Sequence, residues 1–194
     1  MHRITKRLLI AFALGSIAFF VWKERAQLYA MTHTLFSLQT TADDPQLKEI
    51  AVLDELHATV AEKTEQLITA AKEIHIDIVI TDGYRTHEKQ DELYHQGRQT
   101  GGNIVTHAKG GQSYHNYGLA VDFALLDQNE TIIWDTTYDG NNNGEPDWFE
   151  VAALAKELGF EWGGDWHGFK DYPHLQMTFG YTINELIHAS NASE

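Results

Sequence analysis

The sequence predicts an α+β fold, a small antiparallel sheet flanked by helices. Three observations carry this expectation. Apolar residues recur at helical spacing from Leu47 to Ala71, a β-branched hexapeptide IDIVIT occupies residues 76–81, and short helix-like and strand-like segments are interspersed through the rest of the 194 residues. No self-similar period is present, which excludes a repeat architecture.

The first element begins at Asp44-Pro45, a helix-start signal. Leu47, Ile50, Leu53, Leu56, Val60, Leu67, Ile68 and Ala71 then mark a helical stripe that predicts helix through about Lys72. IDIVIT follows as a strand closed by Asp82 and Gly83. Thr86 is placed to cap a helix over His87–His95, and Gly97 to end it. Residues 97–112 (GRQTGGNIVTHAKGGQ) form a glycine-rich loop. Strands are expected at 118–126 and 131–134, a helix at about 146–158, a short strand near Phe160, a strand after Pro173 (HLQMTF), and a last helix over Ile183–His188.

Ahead of this domain the chain is organised differently. MHRITKR leads into LLIAFALGSIAFFVW, and Lys23, Glu24 and Arg25 follow. Fifteen mostly apolar residues are short for a spanning helix and also suit a signal-peptide core, so residues 1–30 read as a membrane anchor or signal segment. Basic residues at both ends and a leucine where a cleavage site needs a small residue favour an uncleaved anchor. Residues 31–44 (MTHTLFSLQTTADD) read as a stalk, and 45–194 as the folded domain, which either form of the segment places outside the cytoplasm. Residues 1–25 hold 5 of the 14 Lys+Arg and 1 of the 28 Asp+Glu, leaving 9 against 27, a formal −18, on the remainder. A domain this acidic is a poor partner for nucleic acid. With no cysteine, disulfides, thiol catalysis and cysteine-ligated metal are excluded, and a metal site must be built from His, Asp and Glu.

Two stretches suggest such a site. In SYHNYGLAVDF, six residues separate His115 from Asp122, and Asp122 lies in the apolar run LAVDFALL, where an unpaired charge is costly. In DYPHLQM, Asp171 precedes His174 by three residues, and Pro173 keeps the two from sharing a helical turn. Together with GYRTHEKQDELYHQGR and GFEWGGDW, these segments resemble the zinc peptidases that include VanY-type D-alanyl-D-alanine carboxypeptidases and L-alanyl-D-glutamate endopeptidases. Four separated segments match in order, over roughly residues 50–180.

The resemblance implies a fold shared with hedgehog amino-terminal domains, and zinc held by His115, Asp122 and His174 with a fourth position open for water. It implies Asp171 as the catalytic carboxylate and Arg85 as a residue that holds a substrate carboxylate or the developing oxyanion. Gln90, Ser113 and Trp166 fall on positions that line the pocket. The expected activity is zinc-dependent hydrolysis of the L-alanyl-D-glutamate bond of peptidoglycan stem peptides by an enzyme attached outside the cell membrane. The alternatives are a D-alanyl-D-alanine carboxypeptidase on the same scaffold, or a wall-binding domain that keeps zinc for structure.

Residues 139–150, DGNNNGEPDWFE, carry a second, independent pattern. Asp139, Asn141, Asn143, Asp147 and Glu150 occupy positions one, three, five, nine and twelve of a calcium loop, Gly144 occupies six, and Glu145 would offer its carbonyl. A polar turn before a helix is the alternative. A full set of matched positions favours EF-hand-like calcium binding, with few carboxylates and hence weak affinity. Phe160, Trp162, Trp166, Phe169 and Tyr172 form an aromatic cluster that packs the core or walls a substrate groove.

Overall fold

The computed structural model describes residues 44–193, together with Lys23, Arg25, Gln27, Leu28, Met31 and Thr32. The apolar run of the expected anchor and nearly all of the stalk lie outside the described residues. Among the described residues, no helix is long and apolar enough to cross a membrane.

Helix α1 (Pro45–Ala51) starts on its proline and buries Leu47, Ile50 and Ala51, an i, i+3, i+4 face. Helix α2 (Ala58–Glu73) is capped by His57, whose ring accepts from the Thr59 N–H, and buries Val60, Thr64, Leu67 and Ala71. The continuous helix expected over 45–72 is thus two helices. Residues 52–57 leave the helix to run against the loop at Gly118: the His57 N–H donates to the Gly118 carbonyl at 3.0 Å, and a Cβ on Gly118 would stand 2.1 Å from the Glu55 carbonyl oxygen. Tertiary contact overrides the helical stripe here.

Strand β1 (Asp77–Asp82) leads to helix α3 (His87–His95), whose cap Thr86 accepts from the Lys89 N–H, with Gly97 at φ 72° beyond its end. After the glycine-rich loop, a 3₁₀ turn (Tyr114–Tyr117) feeds strand β2 (Ala120–Leu126). Strand β3 (Ile132–Ile133), helix α4 (Asp147–Glu157), strand β4 (Glu161–Trp162), a second 3₁₀ turn (Gly163–Asp165), strand β5 (His174–Gln176) and helix α5 (Ile183–Asn191) complete the chain. The two 3₁₀ turns have no counterpart in the sequence reading. The other elements fall where expected within a few residues at their ends.

All strand pairs are antiparallel, in the order β1-β2-β5-β4, with β3 alongside the end of β2. The central strand β2 is buried along most of its length, which accounts for the run LAVDFALL. Val121, Phe123 and Leu125 meet Val60 and Leu67 of α2 and Val151 and Ala155 of α4 in the main core. A second cluster joins Leu47 and Ile50 of α1 to Leu186 and Ala189 of α5 around Tyr117 and Leu119. The register slips between Ile80 and Asp82, so that Asp82 lies opposite Asp122, and Asp122 in turn lies opposite His174 on β5. Such a bulge re-aims side chains at a strand end.

Candidate metal centre and active-site cleft

Three elements deliver one group each to a single point. His115 comes from the first 3₁₀ turn, Asp122 from the middle strand and His174 from its neighbour β5, and their ligand atoms all lie within 4.8 Å of one another. His115 Nε2 is 3.1 Å from His174 Nδ1, and Asp122 Oδ1 is 3.3 Å from the first and 3.4 Å from the second.

The outward nitrogen of each ring is already engaged. His115 Nδ1 is 2.7 Å from the Gly83 carbonyl, which only an N–H can satisfy. His174 Nε2 is 3.0 Å from Gln176 Oε1, and that amide is oriented by its own Nε2–H donating to Glu161 at 2.9 Å. When neutral, each ring therefore turns a lone pair toward the centre, where it meets a carboxylate oxygen that is buried and has no conventional hydrogen-bond partner.

Two lone pairs and an anion cannot share so small a volume without a positive charge between them. The titration of Asp122 and His174 carries the same message. Burial by itself would push the Asp122 carboxyl up, but the imidazoles of His115 and His174 beside it outweigh burial and hold the group well below the usual carboxylate range. Burial would pull His174 down, and Asp122 raises it above its ordinary value instead. The centre draws in a proton or a metal ion, and its donors, two imidazole nitrogens and a carboxylate oxygen, fit a metal with an open coordination position.

Arg85 reaches the same point from the end of β1. Its Nη2 donates to Asp82 Oδ2 at 2.7 Å and to Asp122 Oδ2 at 3.4 Å, and its Nε to Asp82 Oδ2 at 3.2 Å. Asp122 is therefore divided: Oδ1 faces the histidines and Oδ2 faces the guanidinium. Gln90, expected to line the pocket, does not. It is 0% exposed and sits behind Arg85, accepting from Nη1 at 2.7 Å while its Nε2 donates to the Ala108 carbonyl at 2.9 Å. Its place on the inward face of α3 fits it to hold Arg85 and hides it from a ligand.

A cleft of about 610 Å³ opens over these groups, lined by Arg85, Ser113, His115, Asp122, Trp166, Phe169, Asp171 and His174 among others. Ser113 and Trp166 are among the cleft lining, and the Trp166 ring stands 5.1 Å from that of His174. The aromatic cluster divides: Trp166 and Phe169 wall the cleft, whereas Phe160 and Trp162 are buried in the core. Asp171 shares the cleft, and burial, with the charge of Asp122 second, pushes its carboxyl up.

Three contributors escaped the sequence reading. Asp82 holds Arg85, Gln176 orients His174, and Gly163 lets Asp171 come close. A Cβ on Gly163 would lie 2.4 Å from the Asp171 carbonyl oxygen and 3.1 Å from His174 Cβ. GFEWGGDW carried a glycine signal, but no local pattern says what such a glycine faces.

Residues 106–177, the span that holds all three converging ligands, match the profile of a family described as D-alanyl-D-alanine carboxypeptidase. The chain is 58% identical over 131 residues to the peptidoglycan L-alanyl-D-glutamate endopeptidase CwlK of Bacillus subtilis, spanning 68% of this chain and 78% of that protein. The chain belongs to the VanY-like peptidase family. A second relative, the L-alanyl-D-glutamate peptidase of Listeria phage A118, is 34% identical over 123 residues, 61% of this chain and 38% of the phage protein. Among solved structures, the L-Ala D-Glu endopeptidase ChiX of Serratia marcescens is similar at 26% identity and a TM-score of 0.43, covering 64% of this chain and 81% of that one. Members of this family are metallopeptidases, and the trio His115, Asp122 and His174 is where this member would hold its metal.

Proposed function

We propose that the chain is a zinc-dependent peptidoglycan hydrolase that cleaves the L-alanyl-D-glutamate bond of stem peptides. For hydrolysis, the supporting observation is the convergence of two lone pairs and a carboxylate oxygen beneath a cleft that also holds Asp171. For the choice of bond, it is the 58% identity to an enzyme that bears this activity in its name.

Zinc bound at His115, Asp122 and His174 would polarise the scissile carbonyl and bring the pKa of a coordinated water toward neutrality. Asp171 takes the proton of the attacking water on its carboxylate and returns it to the departing amine. Burial and the Asp122 charge lift its basicity toward the operating pH, as that exchange requires. Arg85 supports the site twice. Through Nη2 it balances Asp122, and from the cleft lining its guanidinium would meet a substrate carboxylate or the developing oxyanion. Trp166 and Phe169 give the cleft an apolar wall for the peptide stem.

The apolar segment between Arg7 and Lys23 supports attachment to the outer face of the cell membrane, which fractionation of cells producing the full chain would check. Purified cell wall digested by the enzyme should yield new amino-terminal D-glutamate by mass spectrometry. Free D-alanine would support a carboxypeptidase instead, as the description of the matching profile suggests. The Asp171→Ala protein, still holding zinc, should digest cell wall ~10²–10⁴-fold more slowly. Parent-like digestion by that variant would remove the proposed role of Asp171.

A further inference from the structure

Away from the cleft, the connection between β3 and α4 holds an acidic group that peptidase chemistry does not use. Asp139 accepts the Asn143 N–H on Oδ1 at 3.1 Å and the Gly144 N–H on Oδ2 at 3.0 Å. Glu150 folds back over the same loop, its two oxygens taken by Asn141 Nδ2 at 3.2 Å and Asn143 Nδ2 at 2.7 Å. Gly144 turns the chain at φ 95°, with open space where a Cβ would stand.

Asp147 is the unusual member. It is 2% exposed, and its Oδ2 accepts the Gly140 N–H at 3.1 Å, which aims the carboxylate into the loop. Its Oδ1 is buried with no hydrogen-bond partner. Among the described residues, no lysine or arginine forms an ion pair with Asp139, Glu145, Asp147 or Glu150. Three carboxylates on one loop thus have only peptide and amide dipoles to offset them, and one buried oxygen has no hydrogen-bond partner.

We infer that residues 139–150 bind one calcium ion through the side chains of Asp139, Asn141, Asn143, Asp147 and Glu150 and the carbonyl of Glu145. The ligands are all oxygen, as a hard cation needs, and six groups with a bidentate Glu150 would supply about seven oxygens, which suits the higher coordination number of calcium rather than the octahedron of magnesium. Turning the Asn141 and Asn143 amide planes would present Oδ1 on the inner side and free both oxygens of Glu150 for the ion, in exchange for the Asn143 N–H and Glu145 N–H bonds that the two asparagine oxygens now accept and the Asn141 bond to the Ile74 carbonyl. Asparagine at two positions keeps the site weak, with a Kd of ~10⁻⁴–10⁻³ M, a range found in extracellular modules.

The ion would tie down the start of α4, where Trp148 packs on Phe123 at 4.8 Å and Phe149 on Trp162 at 5.5 Å and Tyr172 at 6.4 Å. Phe123 adjoins Asp122, and Tyr172 adjoins Asp171. Calcium therefore supports the framework of the cleft from outside it. This inference does not depend on the peptidase reading, and its test does not use activity.

The full-length, zinc-loaded protein is freed of calcium and titrated with calcium chloride while its unfolding temperature and the heat of binding are followed. Terbium luminescence excited through the adjacent Trp148 gives a second readout. The expected result is saturable binding in about the stated range, a raised unfolding temperature, unchanged zinc content, and terbium displaced by calcium. Glu150→Gln and Asp139→Asn should each weaken binding at least about tenfold; if one fails to fold, the other supplies the comparison. The inference is overturned by no binding at about 10 mM calcium, by an equal response to magnesium, or by a stabilisation that both variants retain in full.

Discussion

Replacing Gly163 with alanine should disable the cleft through a single methyl group. The added Cβ would stand 2.4 Å from the Asp171 carbonyl oxygen, 3.0 Å from Asp171 Cβ and 3.1 Å from His174 Cβ, whereas ordinary contact begins at 3.4 Å. The Asp171 carbonyl must retreat by roughly 1 Å, and close-packed surroundings transmit such a shift. It cannot move alone, because it accepts the His174 N–H at 3.3 Å and the Asp171 N–H donates to the Gly163 carbonyl at 3.1 Å. Both the metal ligand and the proposed base are displaced. Misplacement of that size costs ~10²-fold in rate, and overpacking costs about 1–3 kcal/mol, a fall of roughly 2–12 °C in unfolding temperature for a domain of this size. The assay follows new amino termini released from purified cell wall at matched zinc content, beside a calorimetric scan. Gly101→Ala is the control, since nothing lies within 4 Å of the position its Cβ would take. A Gly163→Ala protein with parent-like rate and unfolding temperature would refute the reasoning.

Stripping metal with a chelator should abolish activity and lower the unfolding temperature, with zinc restoring both, because the lone pairs of His115 and His174 would then face Asp122 with no cation; an unchanged melting curve would argue against a metal at this point. Gln90→Leu leaves the Arg85 Nη1 and the Ala108 carbonyl without their buried partner, so stability should fall by about 1–3 kcal/mol and kcat/KM should drop at constant zinc content. Parent-like kinetics in a folded Gln90→Leu protein would leave Gln90 with a packing role alone. Burial pushes the Tyr117 phenol up to about 12. The unfolded chain ionises first, so stability should be lost as pH rises from about 10 through 12, by at most roughly 2–3 kcal/mol. Tyr117→Phe should flatten that alkaline limb while costing ~1 kcal/mol at neutral pH for the bond to the Gly111 carbonyl. A limb of unchanged slope in the variant would assign the loss to other groups.

Much of the fold was legible because its signals are local. Thr86 before HEKQ and Gly97 after the helix fix both ends of α3 with side-chain and backbone chemistry contained in twelve residues. IDIVIT is β-branched throughout its apolar positions, and one strand of the sheet begins within a residue of it. The stripe from Leu47 to Ala71 misled because the same spacing serves two short helices as well as one long one. The break is set by Gly118, more than sixty residues away in sequence. Gln90 misled for a related reason: whether its side chain would face the cleft or the back of Arg85 depended on how α3 packs.

By itself, the sequence determined which chemistry the protein could perform. It supplies two histidines and two carboxylates in SYHNYGLAVDF and DYPHLQM, no thiol, and an acidic domain behind an apolar segment. Tertiary structure alone decided how those groups are used. The Gly83 carbonyl and Gln176 select the tautomers of His115 and His174, the bulge at Asp82 brings a partner for Arg85, and Asp122 is shared between a guanidinium and two imidazoles. The physical reason is range. Propensity and capping act within about one helical turn, whereas the contacts that tune this centre join residues 32, 37 and 59 positions apart and exist only once the sheet has closed.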